Sequence, residues 1–156
     1  MCGIIGYIGK QCNIHILNGL KELQNRGYDS CGISTLKNNK IKTTKFASTI
    51  NETSITKLEH TIDNHEEALC GIGHTRWATH GIKSDNNSHP HMSYNNNFVL
   101  VHNGIIENYL SIKNELLSKN IKFQSETDSE VIVNLIEYEY SKINNNTNDT
   151  NIIKKN

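Results

Sequence analysis

A cysteine at position 2, directly before the isoleucine-rich, glycine-bounded run Gly3–Ile8, constrains this chain more than any other stretch. A short apolar run between glycines predicts a buried strand, so the residue just before it is held at a sheet end. Loss of Met1 makes Cys2 the N-terminal residue, carrying both a thiol and a free α-amine. An amine on the nucleophile's own Cα can act as its general base, directly or through one water. Its ordinary pKa of roughly 8 lies near the roughly 8.5 of a thiol, so the pair is matched for proton transfer near neutrality. The bland alternative is a buried cysteine of a first strand.

Ile14, Leu17, Leu20 and Leu23 recur at helical spacing and predict a helix with one face on the core, ending near Arg26-Gly27. Gly27 to Ser30 turns the chain. Cys31–Leu36 and Ile41–Ala47 predict an edge hairpin around Lys37-Asn38-Asn39-Lys40, where asparagines take the positive φ of a tight turn. Thr53 or Ser54 caps a packing helix that runs to Asn64. Ala68–Gly73 is a further strand, and the polar, aromatic and basic stretch from His74 to Gly81, continuing to His89-Pro90-His91, reads as a binding loop at a sheet end.

Phe98–Val101 predicts a buried strand delivering His102-Asn103-Gly104, after which Ile105 opens a helix through Lys119. A side-chain amide beside a glycine N–H offers two donors able to converge on one oxygen, the demand of an oxyanion hole. Asn-Gly alone is also a common turn dipeptide. Ser125 or Thr127 caps a last helix, Val131 to about Lys142, with Asp128 in the first turn where the helix dipole favours a carboxylate. The asparagine-rich stretch from 143 on is of low complexity and expected to be disordered.

Composition narrows the partners. Sixteen basic residues balance sixteen acidic ones, which gives no reason to propose nucleic acid or an anionic membrane. No apolar run approaches the ~20 residues of a membrane span and no basic-then-apolar leader opens the chain, so the expected location is cytoplasmic. The four cysteines contain no Cys-x-x-Cys pair, and His74, His80, His89 and His91 follow no ligand spacing. Neither a metal nor a cofactor is expected.

Five motifs now stand in one order: Cys2–Gly6, Arg26–Ser30, His74–Gly81, His102–Asn108 and Ser125–Val131. Together they resemble the glutaminase domain of the glutamine:fructose-6-phosphate amidotransferase (glucosamine-6-phosphate synthase) family, from Met1 to about Tyr140. Arg76–Gly81 and Asn103–Asn108 look like this branch of the class II amidotransferases rather than the purine-synthesis branch.

The resemblance implies an α+β, N-terminal nucleophile hydrolase fold, a four-layer αββα sandwich of mainly antiparallel sheets, over residues 1–142, followed by the tail 143–156. It implies that Cys2 is the nucleophile and that Asn103 and Gly104 form the oxyanion hole. Arg76 would grip the α-carboxylate of L-glutamine and Asp128 its α-ammonium. Thr79 and His80 would complete the pocket, His89 would support it, Trp77 would close it and direct ammonia, and Arg26 and Gly27 would buttress the N-terminus. Family members continue into sugar-phosphate isomerase domains and are expected to be homo-oligomeric at full length, so this chain is expected to be an incomplete piece with exposed sheet edges. Two other readings stay open: a non-catalytic binding remnant, and the ammonia-producing domain of another amidotransferase.

Overall fold

The computed structural model describes residues 2–78 and 81–153, those from 144 on by backbone alone. In chain order the elements are β1 (Gly3–Ile8), α1 (Cys12–Glu22), a 3₁₀ turn (Leu23–Arg26), β2 (Ser30–Lys37), β3 (Lys40–Ala47), α2 (Ser54–Glu59), a second 3₁₀ turn (Ile62–His65), β4 (Cys70–Arg76), β5 (His91–Met92), β6 (Val99–Leu100), α3 (Tyr109–Ser118) and α4 (Asp128–Ile153).

The first four strands form one antiparallel sheet in the order β1-β4-β2-β3, with β4 inserted between the first strand and the hairpin. The hairpin turns where expected, through Asn38 and Asn39 at φ 51° and 58°. Its tight, right-twisted connection needs positive φ at both positions, and asparagine tolerates it. β5 and β6 form a separate two-stranded sheet.

Side-chain alternation assigns the two faces of the larger sheet. Ile33 packs with Ile16, Leu17 and Leu20 of α1 and with Leu58 of α2 in the main apolar core. The neighbouring pair Gly32–His74 points the other way. There the chain around His89 lies so close that a Cβ on Gly32 would fall 2.3 Å from the His89 carbonyl oxygen. Helices therefore cover one face, and the segment leading into β5 covers the other. A second apolar cluster, Leu116, Ile121 and Val131 with Tyr94 and Phe123, joins α3 to α4.

Several elements differ from the sequence-based expectation. β1 is an edge strand, with Ile4 45% and Ile8 82% exposed, because only its α1-facing side is covered. The inward stripe of α1 is Cys12, Asn13, Ile16, Leu17 and Leu20, which turns Ile14 outward, and Leu23 already belongs to the 3₁₀ turn. β4 runs to Arg76 rather than Gly73, since it has partners on both sides as far as Thr75. His74, Thr75 and Arg76 are thus sheet residues, and the loop starts at Trp77. The strand expected at Phe98–Val101 is a half-buried, two-residue bridge. The helix expected from Ile105 begins at Tyr109, after Asn108. Finally, α4 continues through the asparagine-rich stretch to Ile153. An established helix propagates cheaply through residues of moderate propensity, and nothing between 143 and 153 is glycine or proline.

Candidate active site

The site is assembled where β1 begins and β4 ends. Gly3 lies opposite Thr75, and its N–H donates to Thr75 Oγ1 at 3.1 Å, while that hydroxyl donates to the Leu23 carbonyl at 3.3 Å. This pins the residue after Cys2 to both the sheet and the end of α1. Cys2 Sγ accepts the Trp77 N–H at 3.3 Å and lies 3.8 Å from the Trp77 carbonyl. The sulfur is therefore held against the first residue of the loop.

Behind this corner runs the Arg26–Asp29 segment. Arg26 closes the 3₁₀ turn, and a Cβ on Gly27 would come within 2.7 Å of the Arg76 carbonyl carbon, so only glycine lets the segment lie this close to β4. Asp29 N–H donates to the Arg76 carbonyl at 3.2 Å, and its carboxylate accepts the Ala78 N–H at 2.9 Å. Trp77 stands at the rim, edge-on to Tyr28 with ring centroids 5.3 Å apart.

Asn103 faces Cys2 from the opposite side. Its Nδ2 donates to the Cys2 carbonyl at 3.1 Å and its Oδ1 sits 2.8 Å from His74 Nε2. Gly104 follows at φ 158°, with the His102 ring packed where a side chain would stand: a Cβ would meet His102 Nε2 at 2.8 Å. His102 Nδ1 reaches Ser129 Oγ at 3.2 Å, which ties this corner to the first turn of α4.

Cys2, Arg76, Trp77, Asn103, Gly104 and Asp128 line one cavity of about 310 Å³, within the usual range of small-molecule sites. Arg76 and Asp128 are 5% and 7% exposed, so the walls carry one buried cation and one buried anion. Burial lowers the Arg76 pKa, opposed by the charges of Cys2, Asp29 and Asp128, and a guanidinium stays protonated throughout. Asp128 accepts the Ile106 N–H at 2.7 Å. A ligand with a carboxylate and an ammonium fits such a pair.

Beneath the cavity lies a row of buried imidazoles. His74 stacks on His89 with centroids 4.2 Å apart and planes 18° off parallel, and His89 meets His91 edge-on at 4.5 Å. His91 Nε2 contacts Thr127 Oγ1 at 3.0 Å. Burial pulls the His74 pKa down to about 4, against the opposing hydrogen bonds to Asn103 and the His102 backbone, and holds His89 and His91 well below the usual range. His89 Nδ1 accepts the His102 N–H at 3.3 Å, which independently marks it as neutral. Lys45, which donates to the Asn86 and Ser88 carbonyls, is pulled down to about 8 by burial, with Glu130 and Asp85 acting the other way.

Of the residues singled out in the sequence, Cys2, Arg76, Trp77, His89, Asn103, Gly104 and Asp128 thus line a single cavity, with Arg26 and Gly27 behind it. Thr79 and His80 lie outside the described residues. Sequence reasoning assigned no role to His74, Thr75, Asp29, His102 or Ser129, although each sits inside a quoted motif. The available signal was period two: His74 and Arg76 share a strand face, and Thr75 faces the other way. Among the described residues no group of three or more His, Cys, Asp or Glu is placed to hold a metal ion, and no helix is long and apolar enough to cross a membrane.

The architecture is similar to solved amidotransferases. Glutamine phosphoribosylpyrophosphate amidotransferase from B. subtilis superposes with TM-score 0.69 at 27% identity, covering 88% of this chain and 29% of that one. The allosteric regulatory enzyme of purine biosynthesis superposes with TM-score 0.71 at 25% identity, with the same shares covered. The fold class these define is the N-terminal nucleophile hydrolase type, of which the chain carries a part.

The sequence relationship is narrower. The family model for the glutamine amidotransferase domain matches residues 30–148, and the chain belongs to that family. It is 50% identical over 143 residues to the glutamine--fructose-6-phosphate aminotransferases [isomerizing] of Oceanobacillus iheyensis and Caldanaerobacter subterraneus, and 49% identical over 142 residues to that of Clostridium perfringens. These matches cover about 90% of this chain but only 22–23% of the relatives' length.

Proposed function

We propose that this chain forms the glutamine-hydrolysing part of a glutamine:fructose-6-phosphate amidotransferase, with Cys2 as nucleophile. One observation carries the reading: the Cys2 thiol, the Asn103 amide and the Arg76–Asp128 pair converge on one cavity. Glutamine is a zwitterion with an amide tail, and these groups match its carboxylate, its ammonium and its reacting carbonyl.

Removal of Met1 frees the Cys2 α-amine, which takes the thiol proton as the sulfur attacks the glutamine Cδ. The resulting oxyanion accepts from Asn103 Nδ2 and the Gly104 N–H. Collapse breaks the C–N bond, the α-ammonium returns its proton to the leaving nitrogen, and ammonia departs from a γ-glutamyl thioester. Water, deprotonated by the same amine, then releases glutamate and restores the thiol. Arg76 binds the α-carboxylate bidentately and Asp128 the α-ammonium. Trp77 closes the pocket, Thr79 and His80 would complete it, His89 supports it, and Arg26 and Gly27 brace the nucleophile. In the full-length protein the ammonia would pass to fructose 6-phosphate on sugar-phosphate isomerase domains, within a cytoplasmic homo-oligomer.

The test is the intact mass of the purified chain before and after treatment with a glutamine analogue bearing an electrophilic diazoketone. One adduct on the Met1-less form, absent in Cys2→Ala, is the expected result. Processed, folded protein that takes up no adduct and releases no ammonia would favour a binding remnant instead.

A further inference from the structure

We propose that His74 is a positioning residue: by donating its Nε2–H to Asn103 Oδ1 at 2.8 Å, it fixes the Asn103 amide with the NH2 end toward Cys2. The inference rests on the glutamine-hydrolysis reading above, in which that NH2 end stabilises the oxyanion.

A primary amide is nearly symmetric in shape, so a half-turn about its last bond exchanges donor and acceptor at little steric cost. For an oxyanion the two orientations are opposite in effect, since one offers an N–H and the other an oxygen. The orientation here follows from the partners. Asn103 Nδ2 faces the Cys2 carbonyl oxygen at 3.1 Å, a group that only accepts, so this end carries the hydrogens. The opposite end is then an oxygen, and the His74 nitrogen facing it has to carry a proton. Flipped, Asn103 would oppose N–H to N–H and oxygen to oxygen, two repulsions in place of two hydrogen bonds.

The ring that sets the amide is itself clamped. His74 lies in β4 between β1 and β2, fully buried, and stacks on His89. His89 is held by the His102 N–H on one edge and by His91 beside it, and His91 is fixed by the Thr127 hydroxyl. The orientation of one amide at the nucleophile is thus carried through sheet, loop and the start of α4. His74 does this through Asn103, with no step of its own in the reaction.

Two substitutions separate the donor from the ring. His74→Phe keeps a flat ring for the stack and removes the hydrogen, whereas His74→Gln places an amide N–H near the position of Nε2. In glutamine hydrolysis, His74→Phe is expected to lower kcat about tenfold with KM little changed, the effect of one misdirected hydrogen bond, and His74→Gln to recover most of it. Equal losses in both variants would reduce His74 to packing and overturn the proposal, as would unchanged kcat in the Phe variant or a rise in KM alone. A second measurement needs neither a variant nor turnover. Long-range ¹H–¹⁵N NMR of the whole chain should show His74 as the neutral Nε2–H tautomer and the Asn103 side-chain amide as slowly exchanging. An Nδ1–H tautomer would overturn the clamp. Absence of glutamine hydrolysis beside an Nε2–H tautomer would instead retire the functional reading and leave the clamp standing.

Discussion

The two faces of the four-stranded sheet are built on different physics. On the α1–α2 side, Ile16, Leu20, Ile33 and Leu58 are fully buried in a conventional apolar core. On the other side buried polar groups stand beside the smaller apolar cluster of Leu116 and Val131: His74, His91, Asn87, Ser88, Thr127 and Glu130 are each 3% exposed or less. Apolar packing is tolerant of shape and pays little attention to direction. Hydrogen-bonded packing is costly where a buried group goes unpaired, and where its groups are paired it fixes their direction. The first face fixes that there is a sheet, and the second fixes where its ends point.

Exchanging activity for stability breaks this comparison most directly. Asn103→Ala, on the polar side, is expected to lower glutamine turnover about 10²–10³-fold while leaving the melting temperature nearly unchanged. Leu20→Ala, on the apolar side, should do the reverse, costing about 2–5 kcal/mol in denaturant unfolding and leaving kcat of the remaining folded protein intact. Loss of stability from Asn103→Ala, or loss of kcat at full folding from Leu20→Ala, would show that the two faces are not separable.

Acid sharpens the comparison. An exposed histidine titrates near 6.5, whereas burial pulls His65 and His74 down to about 4 and His89 and His91 below their usual range. Within that window the unfolded chain binds protons that the folded chain refuses. Stability is therefore complete above about pH 6.5 and falls as pH drops from there toward about 4. Three of the four rings are on the polar side, and the fourth, His65, is held between Thr35 and Thr44 at the hairpin. The melting temperature should fall between pH 7.5 and 5, and amide exchange should quicken over residues 87–103 before it does in α1. A flat melting temperature, or α1 opening first, would remove the distinction.

The same division decided what the sequence revealed. The hairpin, α1 and the Thr53 cap were legible because periodicity and turn chemistry report local and apolar forces. The end of β4 was not, because pairing with β1 and β2 is a long-range decision that the polar letters His74-Thr75-Arg76 disguise. Cys2, Asn103 and Asp128 were found through motif order, and the distance relations among them belong to the tertiary fold. His74 went unassigned for a related reason: its partner lies 29 residues away and its role exists only once the amide direction is known. The α4 extension failed in the other direction, since composition suggested disorder where a helix already under way continues.

The smallest expected effect tests whether even the apolar side depends on aimed groups. Thr53 Oγ1 accepts the Thr56 N–H at 3.3 Å and meets Thr56 Oγ1 at 2.7 Å, capping a helix of only six residues. α2 nevertheless has other anchors: Leu58 is fully buried and Lys57 Nζ donates to the Ala47 carbonyl at 2.9 Å. Thr53→Ala should therefore cost about 1 kcal/mol, an ordinary cap value, with Thr53→Ser restoring most of it in denaturant titrations. A loss of several kcal/mol would mean that Leu58 reaches its place only when the cap directs the helix, and that the apolar core leans on hydrogen-bond geometry as the site does. A loss near zero would mean that burial alone sets α2, which would widen the contrast between the two faces.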